Sequence, residues 1–177
     1  YHEMIAHVPL FVHPNPRKVL VIGGGDGGTA REVLRHQNIE ECVMVEIDEM
    51  VVNACKEYIP QTAECLTNDQ RLRLLIQDAV QFVAETSEKF DVVLVDSTDP
   101  IGPAQPLFGE DFYQNVKRIL NEDGIVVSQG ESPFYESSVQ KGLIQVVNRV
   151  FNYVTAYNFS NLTYPGGLWT FTFASKS

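Results

Sequence analysis

Five short apolar runs in this chain lead into carboxylates. Val19–Ile22 is followed by Asp26, the run from Cys42 by Glu46 and Asp48, and the run from Arg71 by Asp78. Val92–Val95 leads directly into Asp96, with Asp99 three residues on, and Ile125–Ser128 is followed by Glu131. One acid after an apolar run is commonly a helix cap. So many, all placed to leave one rim of a sheet, are hard to attribute to capping alone. Asp96-Ser97-Thr98-Asp99-Pro100 is the sharpest local case. Two carboxylates that close attract an amine, and each raises the pKa of the other when no cation is present. A protonated alkylamine is not a nucleophile. One carboxylate can take its proton while the other holds it in line. The plainer reading of the same stretch is an Asx turn with structural hydrogen bonds.

The second chemical signal is Val19–Gly28, V-L-V-I-G-G-G-D-G-G. An apolar run that breaks into glycines and then into a helical pattern reads as strand, tight turn and helix N-terminus. Gly23, Gly25 and Gly28 satisfy the spacing G-x-G-x-x-G of a dinucleotide loop. Asp26 is the anomaly. A helix N-terminus attracts anions, and here the chain has placed its own anion there. Asp26 is therefore expected to face a positive ligand group. Glu46 lies 18 residues past Gly28, where an acid takes ribose hydroxyls in nucleotide-binding sheets. Asp78 suits an adenine amino group and suits a helix cap equally.

Three function classes are compatible with these residues. A nicotinamide dehydrogenase fits the glycines, but Asp26 would face a pyrophosphate. An adenosyl-sulfonium enzyme, transferring a methyl or alkyl group, fits the loop, Glu46 and Asp78 without any phosphate. A noncatalytic small-molecule or partner-binding domain shares the fold, since fold does not fix chemistry. Asp26 divides the second class. S-adenosylmethionine carries a carboxylate and an ammonium, whereas its decarboxylated form keeps only the cationic arm.

These side chains need a frame. The pattern predicts strands at Lys18–Ile22, Cys42–Ile47, Arg71–Gln77, Asp91–Val95, Ile125–Ser128, Val154–Phe159 and Leu168–Ala174. Helices are predicted over Thr29–His36, Glu49–Tyr58, Ala79–Glu85, Glu110–Leu120 and Glu136–Phe151, with Asp48 an N-cap. Tyr1–Val12 is amphipathic, and Pro9 is expected to end any helix there. Cys65–Gln70 reads as a polar loop, and Asp96–Phe108, with three prolines, as a rigid one. Strands alternating with helices imply a doubly wound, mostly parallel sheet with its ligands beyond the strands' carboxyl ends.

Composition narrows the field. The 177 residues fit one domain, and 44% hydrophobic residues is ordinary for a soluble chain. The formal charge of −10 argues against nucleic acid and favours small cationic ligands. No apolar stretch is long enough for a membrane span, and no signal peptide is visible. Cys42, Cys55 and Cys65 lack metal-ligand spacing and suit a reducing cytoplasm; no metal set is found. The first residue is Tyr1 rather than methionine, which reads as an excerpt of a longer protein.

Six motifs in order resemble the polyamine aminopropyltransferases: Y-H-E-M at Tyr1–Met4, G-G-G-D-G-G at Gly23–Gly28, V-E-I-D at Val45–Asp48, D-S-T-D-P-I-G-P at Asp96–Pro103, Q-G-E at Gln129–Glu131 and T-Y-P-G-G at Thr163–Gly167. The resemblance covers essentially the whole chain. It implies an α/β fold: a Rossmann-like seven-stranded sheet of the S-adenosylmethionine-dependent methyltransferase type, with helices on both faces. It implies transfer of an aminopropyl group from decarboxylated S-adenosylmethionine, a co-substrate, to putrescine, with spermidine and methylthioadenosine as products and neither cofactor nor metal. By resemblance, Asp96 is the general base, Asp99 helps hold putrescine and Asp26 holds the aminopropyl amine. Glu46 takes the ribose, Asp78 and Ala79 meet the adenine, Pro103 lines its pocket, and Gly23 and Gly25 belong to the nucleoside site. Tyr1, His2, Gln129 and Tyr164 line the polyamine channel; composition alone assigns His2 a structural place. The family also implies an N-terminal β-rich domain, absent here, so that residues 1–177 form a single catalytic domain. It further implies a homodimeric or homotetrameric full-length protein in the cytoplasm.

Overall fold

A computed structural model describes residues 1–177, apart from the side chain of Pro103. The expected adenine-pocket role of Pro103 therefore lies outside the described residues. The chain runs α1 (His2–Val12), β1 (Lys18–Gly23), α2 (Gly28–Leu34), β2 (Glu41–Glu46), α3 (Glu49–Tyr58), α4 (Pro60–Ala63), α5 (Cys65–Asn68) and β3 (Leu72–Ile76). It continues through α6 (Ala79–Glu85), β4 (Phe90–Asp96), a 3₁₀ helix (Gly102–Phe108), α7 (Glu110–Ile119), β5 (Leu120–Gln129), α8 (Ser137–Val150), β6 (Tyr153–Ser160) and β7 (Leu168–Ser175). The seven strands form one sheet in the order β3-β2-β1-β4-β5-β7-β6. β1 to β5 are parallel, and β7 is antiparallel to both β5 and β6. This is the seven-stranded architecture the resemblance implies.

The central strands are apolar on both faces because each face carries a helical layer. Val19, Val21, Cys42, Met44, Val92 and Leu94 point to a core shared with Ile5 and Leu10 of α1 and Ala30 and Val33 of α2. Leu20, Ile22, Val43, Val45, Val93 and Val95, one residue out of phase, pack against Val83 of α6, Phe112 and Val116 of α7, and Leu143 and Val147 of α8. Among the described residues, no helix is long and apolar enough to cross a membrane.

Beyond the short helix α4 at Pro60–Ala63 and the 3₁₀ helix at Gly102–Phe108 within the stretch read as a rigid loop, the structure departs from the sequence-based expectation in three places. α1 runs through Pro9 to Val12. A proline inside a helix costs about 3 kcal/mol, but Ile5, Ala6, Pro9 and Leu10 are all buried, and that packing outweighs the lost hydrogen bond. Cys65–Asn68 forms a helical turn rather than a loop. Its polar composition hides one anchor, Leu66, which is buried against Gly27. β5 starts at Leu120, five residues early, because the register between Phe90 and Val92 shifts and Asp123-Gly124 stay inside the strand as an irregularity rather than a turn.

Candidate active site

Sheet register brings the strand-end residues together. Gly23 at the end of β1 lies beside Asp96 at the end of β4, and Glu46 ends β2 next to Ile76 of β3. Val95 pairs with Ser128, which puts Gln129 and Glu131 on the same rim. Beyond that rim is a cleft of about 1250 Å³. Tyr1, His2, Gly23, Gly25, Asp26, Glu46, Asp78, Ala79, Asp96, Asp99, Gln129 and Tyr164 all line it, as does Glu131. Parallel strands leave their carboxyl ends on one edge, so acids far apart in sequence meet there.

The glycine loop is built for close approach. Gly23 has φ +80°, and a Cβ there would run into the Asp96 carbonyl. Gly25 faces Glu46: a Cβ would stand 3.0 Å from Oε2. A Cβ on Gly28 would overlap the His2 ring, so α1 rests directly on the loop. Asp26, which the sequence reading expected to face a positive ligand group, already has partners within the chain. Its Oδ1 accepts the Gly28 N–H at 2.9 Å, and its Oδ2 lies 3.1 Å from His2 Nε2. Burial alone would push this carboxyl up, but the His2 and Gly28 hydrogen bonds more than offset that and hold it below its ordinary value. The N-terminus of α2 thus already has its anion, which leaves a pyrophosphate poorly placed.

Glu46 is buried and accepts the Asp48 N–H at 3.0 Å through Oε1. Asp78 is exposed and caps α6, accepting the Val80 N–H at 2.7 Å. Capping is therefore one real use of Asp78, and Ala79, the first residue of α6, sits beside it in the cleft.

Asp96 is held by two hydroxyls. Tyr1 donates to Oδ1 at 2.7 Å and Thr29 to Oδ2 at 2.6 Å. Burial raises the Asp96 pKa; the Thr29 and Tyr1 hydrogen bonds and the nearby His2 draw it back only partly. The sequence reading expected Asp96 and Asp99 to raise each other. Instead, the acid that faces Asp99 is Glu131. Burial and the hydrogen-bonded Asp99 push Glu131 up to about 7, while Gln129, donating at 3.3 Å, opposes the shift. Asp99 stands just before Pro100 in the loop after β4, where its side chain meets Glu131. Glu131 is fully buried and has φ +64°, the one non-glycine residue with positive φ among the described residues. Thr170 pins it: its N–H and hydroxyl both donate to the Glu131 carbonyl, at 3.1 and 2.9 Å. A strained, buried carboxyl in a cleft marks a functional position. Sequence reading noted Glu131 as a strand-end acid and gave it no role. Thr29 carried no signal beyond its place as the first residue of the helix predicted after the glycine loop.

A second group, His13, Asp91 and Asp123, lies at the opposite end of the sheet. The Asn15 N–H donates to His13 Nδ1 at 3.2 Å, so Nε2 carries the ring proton and points at Asp123, 3.5 Å away. Asp91 already accepts from the Arg17 and Lys18 N–H groups and from Asn121. The lone pair a metal needs on Nε2 is occupied by the proton.

The chain matches the family model for the spermine/spermidine synthase domain over residues 1–177. It is 49% identical over 177 residues to a polyamine aminopropyltransferase of Methanocaldococcus jannaschii, covering 99% of this chain and 60% of that protein. It is 51% identical over 176 residues to a polyamine aminopropyltransferase of a Thermoanaerobacter species, covering 99% and 63%. The chain belongs to the spermine/spermidine synthase domain family. A crystal structure of a spermidine synthase in complex with the transition state analogue AdoDATO superposes on all of this domain with TM-score 0.96 at 44% identity, covering 60% of that chain. The spermidine synthase of Thermotoga maritima gives 0.92 at 42% identity, covering 59% of that chain. This spermine/spermidine synthase domain therefore spans about 60% of the length of those relatives.

Proposed function

We propose that this domain transfers an aminopropyl group from decarboxylated S-adenosylmethionine to putrescine, as a spermidine synthase does. The observation that carries the reading is the wall of acids in one cleft: Asp26, Asp96, Asp99 and Glu131 around a space with no facing lysine or arginine among its described lining residues. Such a cleft suits a substrate pair with cationic amines. In this reading Glu46 accepts from the ribose diol, Asp78 and Ala79 meet the adenine, and Gly23 and Gly25 leave room for the nucleoside. Asp26 exchanges its His2 contact for the aminopropyl ammonium. Asp99 and Glu131 hold the distal ammonium of the acceptor, and Tyr1, His2, Gln129 and Tyr164 wall the channel.

The chemistry is an in-line displacement. Asp96 accepts a proton from the near ammonium of putrescine. The freed amine attacks the methylene next to the sulfonium, a C–N bond forms, and the C–S bond breaks to give a neutral thioether. The leaving group needs no acid, so the site contributes orientation, one proton acceptor and attraction for cations. No cofactor or metal enters these steps. Intact S-adenosylmethionine would set a carboxylate beside Asp26, a repulsion of about 1 kcal/mol at 4 Å even in water.

The reading extends to the whole protein. Residues 1–177 form its single catalytic domain, and the greater length of the relatives supports an additional domain in the full-length protein, which assembles as a homodimer or homotetramer. A cytoplasmic site is supported by three free cysteines whose thiols burial pushes up. Calorimetry with decarboxylated S-adenosylmethionine, intact S-adenosylmethionine and NAD tests the reading. Preference for the decarboxylated form is the expected result. Preference for the intact form points to a methyltransferase, and binding of NAD alone to a dehydrogenase.

A further inference from the structure

We propose that Thr29 is a positioning residue for the reaction: its hydroxyl fixes one oxygen of Asp96 so that the other is the one presented to the acceptor amine. This rests on the reading of Asp96 as the base. Thr29 is fully buried in the first turn of α2, and its hydroxyl donates to Asp96 Oδ2 at 2.6 Å. That length is in the range of a hydrogen bond to an ionised carboxylate. The space beside the same oxygen is kept by Gly24, where a Cβ would stand 2.8 Å from Oδ2. Oδ1 is differently placed. It accepts from Tyr1, whose hydroxyl also lies 3.4 Å from Gln129 Oε1, a lining residue of the cleft. Each carboxylate oxygen has two lone pairs, so Oδ1, whose neighbours Tyr1 and Gln129 line the cleft, keeps one for the incoming proton, while Oδ2 takes its bond from the fully buried Thr29.

A carboxylate held at only one oxygen rotates about χ2. With a hydroxyl on each oxygen, from α1 on one side and α2 on the other, the plane of Asp96 is set before substrate arrives. The Thr29 bond also favours the ionised form, opposing the burial that raises the pKa of this acid. The other titratable groups facing Asp96 are Tyr1, the N-cap of α1, His2 of α1, Asp26 of the glycine loop and Tyr164 of the β6–β7 loop. None of them touches Oδ2.

The test compares Thr29→Val and Thr29→Ser with wild type in two measurements on the same full-length protein. One is the pH profile of kcat/KM. The other is an infrared titration of the Asp96 carboxyl, identified by difference against Asp96→Asn. In T29V the carboxyl titration and the acid limb of the profile move up together by about one unit, the worth of one hydrogen bond to a charged group. The loss of kcat/KM is then largest on the acid side, while KM for the nucleoside changes little. T29S, which keeps the hydroxyl, titrates as wild type. A T29V carboxyl that titrates as wild type overturns the assignment, as does a T29S shift equal to that of T29V. Thr29→Ala, too small to clash, gives the same comparison if valine is not accommodated. The infrared reading needs no turnover. A protein that transfers no aminopropyl group but shows the T29V shift sinks the proposed function and keeps the Thr29–Asp96 assignment.

Discussion

Burial raises two carboxyls in the cleft, but their neighbours act in opposite directions, and the difference fits the roles proposed for them. Asp96 is raised by burial and restrained by hydroxyl donors, which suits a group that must stay ionised and then take a proton. Asp96→Asn keeps the shape and removes the acceptor, so turnover is expected to fall about 10²-fold or more; near-wild-type kcat in single-turnover experiments would remove Asp96 from the base role. Glu131 is raised by burial and by Asp99, to about 7. Its sign runs the other way for a cationic ligand. Below about 7 Glu131 is neutral, the pair carries one charge instead of two, and acceptor binding weakens as the pH falls. Calorimetric titration of putrescine from pH 6 to 8 should show this dependence. Glu131→Gln should flatten it and bind more weakly at the upper end. An unchanged pH dependence in that variant would separate Glu131 from the acceptor.

At the scale of elements, the decisive part is α1. It delivers Tyr1 to Asp96 and His2 to Asp26, and it lies on the sheet through Ile5 and Leu10 and through the Tyr157 hydroxyl of β6, which donates to the Met4 carbonyl at 2.8 Å. A polar link to α2 runs through the buried Glu32, which lies 3.2 Å from His7 of α1 and bonds Arg31 at 2.9 Å and Arg35 at 2.8 Å within its own helix and cap. Burial pushes the Glu32 carboxyl up, but the Arg35 and Arg31 hydrogen bonds overcome it and leave the pKa depressed. Glu32→Ala is expected to cost about 1.5–3 kcal/mol in urea unfolding at pH 7. A depressed carboxyl stabilises above its unfolded pKa and loses that contribution as pH falls through the folded value. The gap between wild type and variant should therefore narrow below about pH 4, and a gap that persists there would mean that packing, not charge, accounts for the contribution of Glu32.

For the whole molecule, the net charge of −10 is concentrated where it can act. Several of the acids stand on one rim of one sheet, which focuses field into the cleft. Salt should screen that attraction. The KM for putrescine is expected to rise several-fold from low ionic strength to about 0.5 M salt, with a smaller rise for a neutral nucleoside such as methylthioadenosine as a competing ligand. Equal salt sensitivity of the two would attribute the effect to general stability instead.

Much of this was legible in the residues because it depends on local chemistry. Alternating burial on two faces makes the runs Val19–Ile22, Cys42–Val45 and Val92–Val95 apolar throughout, so strand identity and the doubly wound sheet follow from pattern. The glycines at Gly23 and Gly25 are readable because only glycine tolerates those close approaches, and the acids at strand ends because parallel strands must present them together. What tertiary structure alone decided is partnership. No spacing rule says that Asp99 turns to Glu131 instead of Asp96, that His2 lies on Asp26, or that Thr29 reaches Asp96 across 67 residues. Nor does local propensity let a helix continue through Pro9 or fold the polar stretch at Cys65, since buried contacts from distant segments supply that free energy. The residue types limited what chemistry was possible; the packing of α1 and α2 against the ends of β1, β4 and β5 chose which acid meets which neighbour.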